Sequence, residues 1–311
     1  MRYSTSQTQR GVALITAVLI AAVIAIAAVA MAAQQTLDVR RTANIIDGDR
    51  AYVFALGVES WAQQVLLRDR RNSQTDYLGE DWSLHLPPIA VEGAVVTGHI
   101  EDMQGRFNLN NLIDKSGKAS PLDMQRFQQL LTVTGLNPNL SDAVVDWIDP
   151  DSDTTQPDGA EDAEYMRATV PYRAANRLFT SPSELLLVKG FTAENYQKLA
   201  PYVTALPVRT PINVNTAPKE VLMALANGIT DSDAEQLMDA RGDKGYTTLG
   251  EFLQQQVLAG RGVKQDGLSV ATDYFLLDAA TQFGYGQSHL FSIMARSPTG
   301  VETILRGQGA Y

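Results

Sequence analysis

Arg10-Gly11-Val12-Ala13-Leu14-Ile15-Thr16-Ala17-Val18 opens an apolar run that continues to Ala33, and the reading of this stretch decides the fold. From Val12 to Ala33 the only polar side chain is Thr16. Roughly 20 apolar residues, rising about 1.5 Å each, cross a hydrocarbon core, so residues 12–33 form a membrane-spanning helix by length. Arg2 and Arg10 precede it and no acid does. The positive-inside bias therefore keeps the N-terminus cytoplasmic and sends the remainder outward.

Three processing schemes compete for these residues. A secretory signal peptide would be cut at Ala28-Val29-Ala30 or Ala30-Met31-Ala32, but the run is about twice the usual apolar region of roughly 7 to 15 residues. A signal anchor would keep Met1. A cut after Gly11 removes a basic leader and keeps the whole helix, and glycine there lets a peptidase approach the backbone closely.

Arg10-Gly11 followed at once by Val12 to Val18 resembles the leaders of type IV pilins and type II secretion pseudopilins. The resemblance implies cleavage by prepilin peptidase after Gly11 and a methylated Val12 as the new N-terminus. Most such subunits carry Glu at the fifth mature position, where this chain has Thr16. Within the superfamily that departure points to the K-type minor pseudopilins, because a subunit with nothing above it needs no carboxylate to meet a neighbour's ammonium in hydrocarbon. A hydroxyl bonded back to its own helix is also simply tolerated there, so Thr16 by itself decides nothing.

The chain carries a formal charge of −10, and losing Arg2 and Arg10 with the leader takes the exported part to −12. Such a surface repels nucleic acid and anionic headgroups, and favours divalent cations, basic partners or simple solubility. With no cysteine there is no disulfide, thiolate ligand or Cys nucleophile.

Beyond the membrane, Phe54, Val58, Trp61 and Val65 fall at helical spacing, which predicts a helix running to about Arg70 with one face on a globular domain. Residues 90–100 and 106–113 read as short antiparallel strands around Gln104-Gly105, and 274–279, 289–295 and 302–306 as a meander. The segment between is too long for a loop in a compact domain. It repeats a pattern in which Pro121, Pro182 and Pro218 open helices that end near Gly135, Gly190 and Gly228, each followed by another helix. Ser181 with Glu184 makes a capping box, and Thr192 and Thr230 can cap the returning helices.

The expectation is an α+β fold: a pilin-like long helix and antiparallel sheet with a large inserted helical-hairpin domain. Its parts are the leader 1–11, the membrane helix 12–33, the amphipathic helix and first sheet part 34–113, the helical insertion 114–268 and the meander 269–311. This order again resembles K-type minor pseudopilins of type II secretion, whose pilin fold carries a large α-helical, SAM-like insertion.

Between Asp142 and Glu164 lie nine acids, and no Lys or Arg occurs between Arg126 and Arg167. The alternation Asp149, Asp151, Asp153 suits Ca2+, which takes six to eight oxygens from short donors. Counted from Asp149, position 6 is Thr154 and position 12 is Ala160, so the EF-hand pattern fails. The expected structural Ca2+ site draws on Asp149, Asp151, Asp153, Asp158, Glu161, Asp162 and Glu164, a reading that the family resemblance shares; a solvated acidic loop is its rival.

Two other functions compete. Residues 212–222 with Tyr246 to Leu253 resemble a helix-hairpin-helix domain of DNA-uptake receptors, which would suit a nucleic-acid-binding or competence-type pilin subunit, but Gly228-Ile229-Thr230 leads into Asp231, Asp233 and Glu235 rather than basic residues. An enzyme finds no nucleophile motif, and His85, His99 and His289 stand apart in sequence. The resemblance implies a non-enzymatic minor pseudopilin of the inner membrane with a periplasmic globular domain and no nucleic acid. It would sit at the pseudopilus tip with the I and J minor pseudopilins and other pseudopilins, and contact the inner-membrane assembly platform, the secretin and secreted substrates.

Overall fold

The computed structural model describes residues 10–309; apart from Arg10 and Gly11, the expected leader lies outside them. Helix α1 (Arg10–Asn72) runs unbroken from the apolar segment into the globular part, about 95 Å at 1.5 Å per residue. Strands β1 (Leu86–Val91) and β2 (Ala94–Asp102) follow. The chain then leaves the sheet through β3 (Phe107–Asn108), α2 (Pro121–Val133), α3 (Leu140–Ile148), α4 (Asp162–Tyr165), α5 (Ala193–Leu199) and β4 (Val203–Thr204). It continues through β5 (Ile212–Asn213), α6 (Lys219–Met223), α7 (Asp231–Arg241), α8 (Leu249–Leu253) and β6 (Leu268–Ser269). It re-enters as the meander β7 (Tyr274–Phe283), β8 (Gly286–Arg296) and β9 (Val301–Gln308).

The main sheet has the order β1-β2-β7-β8-β9, antiparallel throughout. Asp102 pairs with Phe275, so the whole insertion hangs from two neighbouring strand ends. One face of the sheet lies against α1, where Ala51, Ala55 and Ala62 are fully buried. Those small side chains let the helix approach closely, and Gly286 requires it: a Cβ there would meet the Asp47 carbonyl carbon at 2.2 Å.

Residues 106–113 do not form the expected second strand. Phe107–Asn108 pairs in parallel with Val203–Thr204, and Leu109–Leu112 is a 3₁₀ turn. The Asn108 side chain accepts from Asn110 N, a local bond that favours a turn over a ladder.

The insertion contains two copies of one module. In each, a two-residue strand pairs in parallel with a strand near the module's end: Phe107–Asn108 with Val203–Thr204, and Ile212–Asn213 with Leu268–Ser269. Asn108 Oδ1 accepts from Asn110 N and Asn213 Oδ1 from Asn215 N, both at 3.1 Å. Asn110 exchanges side-chain bonds with both backbone groups of Phe179, and Asn215 does so with Tyr246. Next, Glu184 accepts from Thr180 N and Oγ1, as Glu251 does from Thr247. Leu185 and Phe252 follow those glutamates into the core, both fully buried.

The second module is fastened to the sheet by a buried polar joint. Asp102 accepts from Thr216 Oγ1 (2.6 Å), Thr272 Oγ1 (2.6 Å) and Asn213 Nδ2 (2.8 Å). Arg296 of β8 donates to both Asp76 oxygens (2.5 and 2.6 Å), to Asp69 (2.8 Å) and to Thr272 O (2.7 Å). Burial of charge is tolerated here because Arg296 meets Asp76 and Asp69, whereas Asp102 has only neutral donors around it and burial pushes its carboxyl up. Asp69, which shares that one guanidinium with Asp76, is still pushed up to about 6 by burial and then by the Asp76 charge.

Candidate metal centre and membrane helix

Asp142 and Asp146 lie on α3 and Asp149 caps its C-terminal end, the spacing that puts three carboxylates on one helical face. The chain then turns back so that Glu161, at the start of α4, faces them. Asp149, Asp151 and Glu161 can each bring one oxygen within 4.8 Å of the others. Asp149 and Glu161 are buried, yet Asp149 Oδ1 and both Glu161 oxygens have no hydrogen-bond partner, a costly state for carboxylates in low dielectric. Burial first, then the charges of Asp151 and Asp146, push Asp149 up to about 7. Glu161 rises to about 7 through burial and the Asp146 charge. A hard divalent cation would supply what these oxygens lack.

The other four expected ligands are placed differently. Asp153 is exposed, with its N–H donating to Asp151 Oδ1 at 2.9 Å. Asp158 accepts from Asn139 Nδ2 at 2.8 Å. Asp162 accepts from Ala174 N and pairs with Arg173, and Glu164 pairs with Arg167. Asp146 was outside the expected ligand set, but it sits beside the trio and accepts from Thr155 N at 3.0 Å. Its place at i+4 from Asp142 and i−3 from Asp149 is a signal the sequence already carried. An aromatic wall backs the site: Trp147 meets Tyr165 edge-on at 5.2 Å, and Tyr172 packs on Tyr165 at 5.2 Å.

Gly11, Val12 and Thr16 all lie in the first turns of α1, with the apolar side chains from Val12 to Met31 exposed around the helix. This is the described helix long and apolar enough to cross a membrane. Thr16 Oγ1 donates to Val12 O (3.1 Å) and Ala13 O (3.0 Å), so its hydroxyl is satisfied within its own helix.

Two of the histidines that stand apart in sequence meet in space: His85 and His99 stack at 4.6 Å, while His289 bonds Asp278 at 2.5 Å. At the hairpin between α6 and α7, Lys219 is already taken by Asp231 at 2.7 Å and Glu235 at 3.6 Å.

Comparison with known proteins agrees with this architecture. Two family models, both described as type II secretion system protein K, match residues 105–208 and 212–271, the two modules in turn. Type II secretion system protein K of Pseudomonas aeruginosa is 36% identical, covering 97% of this chain and 93% of its own length. The protein of that name from Pectobacterium carotovorum is 32% identical, covering 97% of each chain. Among solved structures, a chain from the crystal structure of the GspK-GspI-GspJ complex of enterotoxigenic Escherichia coli superposes with a TM-score of 0.78 at 26% identity, covering 87% of this chain and all of that one. The sequence similarity thus runs along nearly the whole length, and the chain belongs to the type II secretion system protein K family.

Proposed function

We propose that this chain is the minor pseudopilin that caps a periplasmic pseudopilus, assembled with the I and J minor pseudopilins and anchored in the inner membrane by residues 12–33. The observation that carries the reading is the place of the insertion: both modules spring from the adjacent ends of β2 and β7, so a mass of helices stands on one end of the pilin-like sheet. A neighbour that would stack there meets the modules instead. Thr16 supports the same position, since a subunit at the top has no ammonium above it to neutralise.

The work is mechanical. Processing after Gly11 would free Val12 for methylation, and α1 would pack beside partner helices as assembly on the inner-membrane platform begins. Secretin and secreted substrates would meet the modules first. The trio Asp149, Asp151 and Glu161 would hold Ca2+ as a structural ion, the fit resting on the unpartnered buried oxygens of Asp149 and Glu161 with Asp151 beside them.

The insertion can be removed without breaking the sheet, because Asp102 and Phe275 are already opposite each other. Joining them through Asn-Gly makes an ordinary two-residue hairpin. The expected outcome is a membrane-inserted chain that still binds its partners but no longer limits filament growth, seen as several-fold longer pseudopili in micrographs. Unchanged filament length and secretion would sink the steric cap.

A further inference from the structure

The first module takes residues 149–178 to pass from α3 to Phe179, whereas the second passes from α7 to Tyr246 with residues 242–245. The additional residues are therefore not needed to close the module. Their second half is locally basic. From Tyr165 to Ser183 there are three arginines and no acid, in a protein of charge −10. The side chains of Arg167, Arg173 and Arg177 are 77, 77 and 58% exposed. Met166, Val170 and Tyr172 stand exposed among them, Val170 at 77%.

This stretch is held in place. The Tyr172 hydroxyl donates to Leu187 O at 2.8 Å while its ring lies 6.2 Å from Trp147. Ala174 N donates to Asp162 Oδ1 and Asn176 N to Trp147 O, both at 3.0 Å. A segment ordered before it binds loses little freedom on binding. Arginine and tyrosine around exposed apolar side chains are the residue types that dominate interface energetics. Each guanidinium has a carboxylate only 3.4 to 3.7 Å away, on Glu164, Asp162 or Glu184. Exposed pairs of this kind contribute little, so an incoming carboxylate can displace them and gain bidentate geometry.

We propose that residues 166–177 form a docking surface for an acidic segment of a partner protein, whose carboxylates pair with Arg167, Arg173 and Arg177 and whose apolar side chains seat on Met166, Val170 and Tyr172. The charge pattern selects this occupant: an acidic protein is repelled by most of this chain's surface and attracted here. The surface goes beyond the capping role and does not depend on it.

The test uses the full-length chain in detergent and two short labelled peptides, one repeating Asp-Leu-Gly and one repeating Lys-Leu-Gly, with binding followed by fluorescence anisotropy. The acidic peptide is expected to bind at least about tenfold tighter than the basic one, and to lose about tenfold in affinity with Arg167→Ser and Arg173→Ser together or with Val170→Asp. These side chains are exposed, so the melting temperature should not move. Equal binding of the two peptides, or acidic-peptide binding indifferent to the arginine substitutions, would overturn the proposal. So would arginine-dependent binding to phosphatidylglycerol vesicles with no binding to the acidic peptide, which would make this a membrane surface.

Discussion

In the first module Asn108 turns its amide to Val208 O and Thr210 Oγ1, in the linker between the modules; in the second, the equivalent Asn213 turns its amide to Asp76 O and Asp102 Oδ2, on the sheet side. The same residue in the same turn thus serves two attachments. The second copy closes its α7 join tightly and is anchored to the pilin-like body, while the first is carried by its sister and bears the long acidic join. A duplicated unit whose internal bonds are kept in both copies leaves its joins and outward amides free to diverge. Here one copy supplies attachment and, on the proposed reading, the other a binding loop.

The anchoring half of that contrast should give the largest effect. Arg296→Ala leaves Asp76, and Asp69 beside it, without their cation in a buried joint. Breaking one side of a buried pair costs about 3 to 5 kcal/mol. Chemical denaturation of the full-length chain in detergent should show a loss of that size, and a loss below about 1 kcal/mol, typical of a surface pair, would mean that the joint does not fasten the modules.

The binding half predicts a smaller effect confined to the first module. Calcium at about 100 times its dissociation constant should stabilise the chain by about 2.7 kcal/mol. Tb3+ in its place should luminesce on excitation of Trp147. A chain in which the sequence of 242–245 replaces 149–178 should keep its helical circular dichroism and lose both responses. In calcium-free buffer Asp149 and Glu161 hold protons up to about pH 7, whereas in the unfolded chain they release them near pH 4. The folded state then binds more protons across that window, so stability falls as pH rises from about 4 to 7. The shortened chain should lack this slope. A calcium-induced rise in melting temperature that survives the replacement would place the ion elsewhere.

Much of this contrast could be read before the fold was known, and the unread part has physical causes. The helix through Asn72, the three meander strands and the Ser181–Glu184 box follow from local spacing and capping chemistry. The strand expected at 106–113 failed because alternating apolar residues there are interleaved with asparagines whose side chains bond the local turn at Asn110 N and distant groups such as Phe179 O instead of facing a ladder. The pairing of β2 with β7 spans the whole insertion, and no local pattern reports it. The duplication was visible only as recurring Pro and Gly, since the unequal joins of α3 and α7 put the matching Thr-Glu pairs out of register. In the acidic loop, composition identified the region, but the choice among its carboxylates depends on the return of the chain at Glu161.

The smallest effect tests whether the shared core of the two modules is as alike in energy as in geometry. Glu184 and Glu251 each accept from the backbone N–H and hydroxyl of the threonine four residues earlier, with Glu184 also reaching Ser181 N at 3.3 Å. In both, these bonds draw the carboxyl below its usual range, outweighing the opposing effect of burial, with Thr180 and Thr247 as the main donors. Glu184→Ala and Glu251→Ala should therefore each lower the denaturation midpoint slightly and by similar amounts, as the loss of a helix N-terminal cap does. Equal losses mean that divergence was confined to the joins. A markedly larger loss at Glu184 would mean that its cap also restrains the neighbouring Arg177, 3.6 Å away, and with it the end of the long join that the second module lacks.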